Sequence, residues 1–153
     1  MLPAAAGGRA PCTAGVAGVT AVRAVRGAIQ VDRDDPDVIL AATGTLLAEV
    51  IRRNALATED IISVVFTMTR DLESGFPAAA ARGLGLVDVP LLCAAEIGVS
   101  DAMERVIRLL AHVDTDRPRS SIEHVYLRGA ARLRPDLGTS PDGDRVSEPV
   151  ARL

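Results

Sequence analysis

The 153-residue chain contains no lysine and no tryptophan, and Phe66, Phe76 and Tyr126 are its whole aromatic set. Each absence excludes something. Since all 17 basic side chains are arginines, a Schiff base, a lysine general base and a phosphate-loop lysine are ruled out. What remains is suited to a planar, two-point grip on carboxylates or phosphates. With so few aromatics the core must be aliphatic, and the many alanines suggest close backbone packing or a large subunit interface. Cys12 and Cys93 are too few for a disulfide framework, which fits a reducing cytoplasm. His112 and His124 lie far from Cys93 with no ligand spacing around them, so no metal is expected. "RGLGLVD" has neither the third glycine nor the strand-to-helix context of a dinucleotide loop and reads as a turn. The net charge of −3, with no clustered arginine face, argues against nucleic acid as a partner. No apolar run approaches the roughly 18 residues of a membrane helix. The opening "MLPAAAGGRAPCTAGVAG" lacks the charged and apolar parts of a secretory signal.

What is present describes one domain. Hydrophobic residues at 48% and charged residues at 24% are the balance of a globular chain with a single core. Residues 1–19 and 138–153 are rich in small residues, proline and charge without periodicity, and are expected to be mobile. Between them, "VTAVRAVRGAIQV" predicts a first strand over about residues 20–28. In "DDPDVILAATGTLLAEVIRRN", Asp35 is a candidate N-cap, Pro36 takes the first helical position, and Ile39, Ala42, Leu46 and Val50 form an apolar stripe that ends near Asn54. "DIISVVFTMT" predicts a central strand, "FPAAAARGLG" a short helix opened by Pro77 and stopped by Gly83 or Gly85, and "VDVPLLC" another strand. "SDAMERVIRLLAHVDTD" fits a helix capped by Ser100 or a buried strand equally well. "HVYL" reads as a last strand running into an irregular, arginine-bearing stretch. The sum is a small α/β (α+β) domain of four or five strands and one long helix, without internal repeats.

Two arginines stand out. Strand alternation puts Val22, Ala24 and Arg26 on one face, so Arg26 projects from a surface of small apolar groups. Arg108 lies inside "VIRLLAHV", where a cation must either reach solvent or find an anion. Cys93 and Glu96 sit three apart in the apolar run "VPLLCAAEIG". An aliphatic strand end is a poor place to lower a thiol pKa, which argues against Cys93 as a nucleophile.

The runs "VRGAIQVDRD", "DLESGFPAAAAR", "VPLLCAAEI", "IRLL", "HVYL" and "LRPDL" occur in the order and approximate spacing of the monofunctional chorismate mutases of the trimeric, pseudo-α/β-barrel class. The resemblance covers residues 20–137, and the first-strand arginine, the cysteine and glutamate three apart, the arginine twelve residues on and the "HVYL" tyrosine all match. It implies a homotrimer with active sites between subunits and no cofactor, rearranging chorismate to prephenate in the cytoplasm on the route to phenylalanine and tyrosine. It also implies that Arg108 lies on a strand.

By the same resemblance Arg108 faces the breaking ether bond and Arg26 binds a substrate carboxylate. Glu96 and Cys93 face the ring, and Tyr126 lines the pocket. Phe76 and Arg82 match positions supplied by the neighbouring subunit, while Leu133 and Arg134 of "LRPDL" begin a segment that can close over the site. Two departures concern the rim: Ala79 stands where the family often has a lysine, and the chain is one residue shorter between Arg82 and Cys93. The alternatives are a non-catalytic carboxylate-binding module that keeps the pocket, and an enzyme resembling the trimeric imine deaminases.

Overall fold

The computed structural model describes residues 19–137; the ends expected to be mobile fall, apart from Val19, outside the described residues. The chain runs β1 (Ala21–Gln30), α1 (Pro36–Arg53), β2 (Ile61–Met68), α2 (Ala78–Gly83), β3 (Leu91–Ala95), β4 (Val106–Thr115) and β5 (Val125–Leu127), followed by a 3-10 segment, Arg128–Leu133. The five strands form one mixed sheet in the order β3-β2-β4-β1-β5. β4 runs antiparallel to both β1 and β2, while β3 joins β2 and β5 joins β1 in parallel. The segment that fitted helix or strand is strand β4, and it holds the centre of the sheet. β2, expected to be central, is interior but second from one edge.

Helix α1 forms where its stripe and caps foretell. The Asp35 carboxylate accepts the N–H groups of Asp37 and Val38 at 3.0 and 3.1 Å, satisfying donors that no preceding turn can serve. Buried Asn54 closes the other end. Its amide donates to the Val50 carbonyl at 3.0 Å and to the Glu123 carbonyl at 2.8 Å, and its oxygen accepts the Glu123 N–H at 2.9 Å. One side chain thus caps the helix and fastens the approach to β5. β3 begins later than the sequence pattern predicts, at Leu91 rather than Val87. Pro90 has no N–H to give the sheet and contributes only its carbonyl, to Val64 N at 3.0 Å.

The core lies between α1 and one face of the sheet. Ile39, Leu46, Leu47 and Val50 of the helix meet Val25, Ile29, Phe66, Ile107 and Leu109 of the strands, all buried. Burial of each such side chain is worth about 1.5–3 kcal/mol against exposure, so this layer supplies most of the drive to fold. Gly27 sets how closely the helix approaches, since a Cβ there would lie 3.1 Å from Leu46 Cδ1 and 3.2 Å from Leu109 Cγ. No helix among the described residues is long and apolar enough to cross a membrane.

Candidate active site

The opposite face of the sheet has no α-helix over it, and only its β1–β5 end is covered, by the 3-10 segment whose Ala130 and Leu133 pack on Ala28, Val106 and Tyr126. Strand register places Tyr126, Ala28, Arg108, Thr67 and Ala94 in one row across β5, β1, β4, β2 and β3. The next row holds Arg26, Leu110, Val65 and Leu92. Arg26 and Arg108 are therefore diagonal neighbours on adjacent antiparallel strands, a separation of about 7–8 Å at the backbone that long side chains readily close.

Arg108 has found its anion: its guanidinium pairs with Oε2 of Glu96, with both side chains largely shielded from solvent. The Thr67 hydroxyl donates to the other oxygen, Oε1, at 2.6 Å. Glu96 is the first residue after β3, and its own N–H extends the ladder to the Met68 carbonyl at 2.9 Å. Arg108 is aimed by the start of its strand. There Arg105 adopts φ 53°, a conformation unusual for a residue with a side chain, while its N–H is held by the Asp71 carboxylate at 2.8 Å and its carbonyl accepts from Val31 N at 2.8 Å. The turn is over-determined, so the strand enters at one register.

Tyr126 is 5% exposed, and its hydroxyl has no hydrogen-bond partner among the described residues. A buried phenol without a partner is costly in a finished structure and reasonable in a pocket awaiting a polar ligand. Around it Leu133 packs with Ala28, Val106 and Ala130. Arg134 forms a two-point pair with Asp136 at 2.9 and 2.8 Å, and this pair, with a smaller contribution from nearby Tyr126, raises the Arg134 pKa. His124 accepts the backbone N–H of Arg26 on Nδ1 at 3.1 Å, tying β5 to β1. Burial, and then the charges of Arg134 and Arg26, hold its pKa below the ordinary value, so the ring stays neutral while the positive charge nearby belongs to arginines. The Arg26 guanidinium makes no ion pair or hydrogen bond among the described residues.

Phe76 and Cys93 belong elsewhere. Cys93 pairs in register with Phe66, which places it on the α1 side of the sheet, packed at the margin of the core. It lines a cavity of about 350 Å³ at the β3 edge with Met68, Arg70, Phe76 and Ala94. Phe76 is 75% exposed there. Arg82 stands exposed on α2, outside both groups. One chain therefore brings together Arg26, Glu96, Arg108, Tyr126, Leu133 and Arg134, and keeps Cys93, Phe76 and Arg82 apart from them. Sequence reasoning passed over Thr67 and Arg70. The signal for Thr67 was available: Ser63, Val65 and Thr67 alternate along β2, so its hydroxyls lie on the face that the helix does not cover.

Such a face can fix anionic groups with arginines and offer a carboxylate and a phenol to a polar ring. It also carries Ser63, whose hydroxyl lies 3.0 Å from His112 Nδ1 farther along β2 and β4, and no cluster of metal-ligating side chains occurs among the described residues. Residues 22–137 match the model of a known family, chorismate mutase type I. The chorismate mutase AroH of Thermus thermophilus is 50% identical over 117 residues, covering 76% of this chain and 96% of that protein. The chorismate mutase AroH of Bacillus subtilis (strain 168) is 40% identical over 117 residues, covering 76% of this chain and 92% of that one. Among solved structures, a chorismate mutase from Clostridium thermocellum superposes with a TM-score of 0.72 at 45% identity, covering 72% of this chain and 99% of the other. By the extent and identity of these matches, the chain belongs to the chorismate mutase type I family.

Proposed function

We propose that the chain rearranges chorismate to prephenate at sites shared between copies of a homotrimer, by selecting the reactive conformer and stabilising the charge that separates as the ether bond breaks. The reaction is intramolecular: one carbon–oxygen bond breaks as one carbon–carbon bond forms, and no proton or electron need leave the substrate. A face of fixed charges suffices for it. The carrying observation is the pairing of Arg108 with Glu96 one register step from Arg26, whose guanidinium has no anion among the described residues.

In this reading Arg26 grips a substrate carboxylate and Arg108 offers its remaining N–H groups to the ether oxygen, where negative charge grows. Because that charge is larger in the transition state than in the ground state, the contact lowers the barrier rather than merely tightening binding. Glu96 binds the ring hydroxyl and opposes positive charge developing on the ring. The Tyr126 hydroxyl, without a partner among the described residues, supplies a further hydrogen bond, and Leu133 and Arg134 lie beside it at the rim of the pocket.

The trimer is inferred from what one chain leaves undone. The part of its sheet that the 3-10 segment leaves open carries Val22 and Leu92, both 60% exposed, and large apolar side chains of this kind on one face mark a surface meant for a partner. Phe76 and Cys93 cluster at the β3 edge, away from Arg26 and Tyr126. We assign them, with Arg82, to the site of the adjacent copy. Cys93 is then a polar wall contact, and the cytoplasm is the proposed compartment. No observation favours the imine deaminase alternative.

The test is complementation. Purified protein is assayed for loss of chorismate and appearance of prephenate, alone and as Arg108→Ala and Arg82→Ala variants, each expected to be strongly impaired. Dissociated and reassembled together in equal amounts, the two variants should recover activity, because about one quarter of all sites then combine two intact halves. Active parent protein without recovery in verified mixed assemblies would refute the shared site. Absence of turnover by folded, assembled parent protein would favour a binding module.

A further inference from the structure

Glu96 carries its role from an awkward position. It lies just past the end of β3, before a stretch in which Ile97, Gly98, Val99 and Ser100 are all exposed. A glutamate has three side-chain torsions, and an ion pair to a single arginine fixes a distance without fixing the plane of the carboxylate. Thr67 supplies the second point. It sits in an interior strand, paired on one side with Ala94 and on the other with Arg108 itself. Its branching at Cβ restricts the first torsion, so its hydroxyl is a rigid post. That hydroxyl holds Oε1 at 2.6 Å while Arg108 holds Oε2. Two further contacts fix the Glu96 backbone: Met68 O accepts its N–H at 2.9 Å, and Arg70 Nε donates to its carbonyl at 3.2 Å.

We propose that Thr67 is a positioning residue for catalysis: its hydroxyl sets the carboxylate plane of Glu96, and thereby the angle at which Glu96 meets the substrate ring and Arg108 meets the ether oxygen. The inference rests on the reading of Glu96 as a catalytic group. Thr67 itself does not touch substrate in this assignment. Its effect passes wholly through Glu96, which distinguishes it from a threonine that merely packs the sheet.

The experiment is a double-mutant cycle on the assembled protein with Thr67→Val, Thr67→Ser, Glu96→Ala and the Thr67→Val/Glu96→Ala double variant, measuring kcat and KM for chorismate. A hydrogen bond to a charged group corresponds to a change of about ten- to a hundredfold, so Thr67→Val should lower kcat by that factor and leave KM within about twofold. Thr67→Ser keeps the hydroxyl and should recover most of the rate. In the Glu96→Ala background, Thr67→Val should cost nothing more. Unchanged kcat in Thr67→Val, or an equal loss with and without Glu96, overturns the proposal. Unchanged activity in Glu96→Ala overturns the reading of Glu96 instead, and the proposal with it. If Thr67→Val does not assemble, Thr67→Ala takes its place in the same cycle.

Discussion

The two faces of this sheet are made from the same strands and answer to different demands. On the α1 side, Phe66 is fully buried and its neighbours are apolar, packed to the point that Gly27 leaves no room for a methyl group without displacement. On the other side, residues one step along the same strands include Arg26, Thr67 and Arg108, with Leu92 and Val22 largely exposed. A strand sends successive side chains to opposite faces, so a single run can stabilise the domain with alternate residues and present chemistry with those between them. The difference teaches where to look for stability, for assembly and for turnover. Each can be disturbed separately.

The largest effect should come from the covered face. Phe66→Ala removes the largest fully buried side chain and should cost about 3–5 kcal/mol of unfolding free energy, read by denaturant titration. A loss below about 1 kcal/mol would mean that the α1 layer is not the main core.

On the open face, Arg108→Ala should leave a folded, assembled protein whose kcat has fallen by about a hundredfold or more, the equivalent of about 2.7 kcal/mol of lost transition-state stabilisation. Retained turnover would move the key cation to another arginine. Leu92→Ala makes the sharpest contrast with Phe66→Ala, being a similar truncation on the opposite face. It should raise the concentration at which the assembly half-dissociates by about tenfold, while changing the stability of the chain itself by no more than about 0.5 kcal/mol. Sedimentation and denaturation on the same samples decide it, and a purely stability-based effect would contradict the partner surface.

The smallest effect lies away from both faces, at the end of α1. There Glu49 accepts hydrogen bonds from Arg52 and then Arg53, each at 2.9 Å, which lower its pKa from 4.5 to about 2. Since the folded value lies below the unfolded one, the contribution is fully present above pH 4.5 and is lost as the pH falls through about 2. For a surface cluster it should amount to about 0.2–1 kcal/mol, measured as the stability difference from Glu49→Gln at pH 7, and that difference should shrink steeply towards about pH 2 and vanish below it. A difference independent of pH would assign the effect to packing.

Much of this molecule was determined by its sequence alone. Asp35, Pro36 and the spacing of Ile39, Ala42, Leu46 and Val50 specify α1, because capping and a 3.6-residue stripe are local properties of the chain. Alternation about Arg26 specifies the open face of β1 for the same kind of reason. The identity of the family was also legible, since its motifs are short and ordered along the chain. What only the tertiary structure decided is whatever depends on residues far apart in sequence. The helix-or-strand ambiguity over Val106–Thr115 is resolved by hydrogen bonding to β1 and β2, partners that a local window does not contain. Thr67 becomes the second anchor of Glu96 only when β2, β3 and β4 lie side by side. Cys93 and Glu96, three apart in the chain, are turned to opposite sides of the sheet because odd spacing on an extended strand reverses the face. Sequence proximity made them look like one site, and the pleat of the backbone parted them.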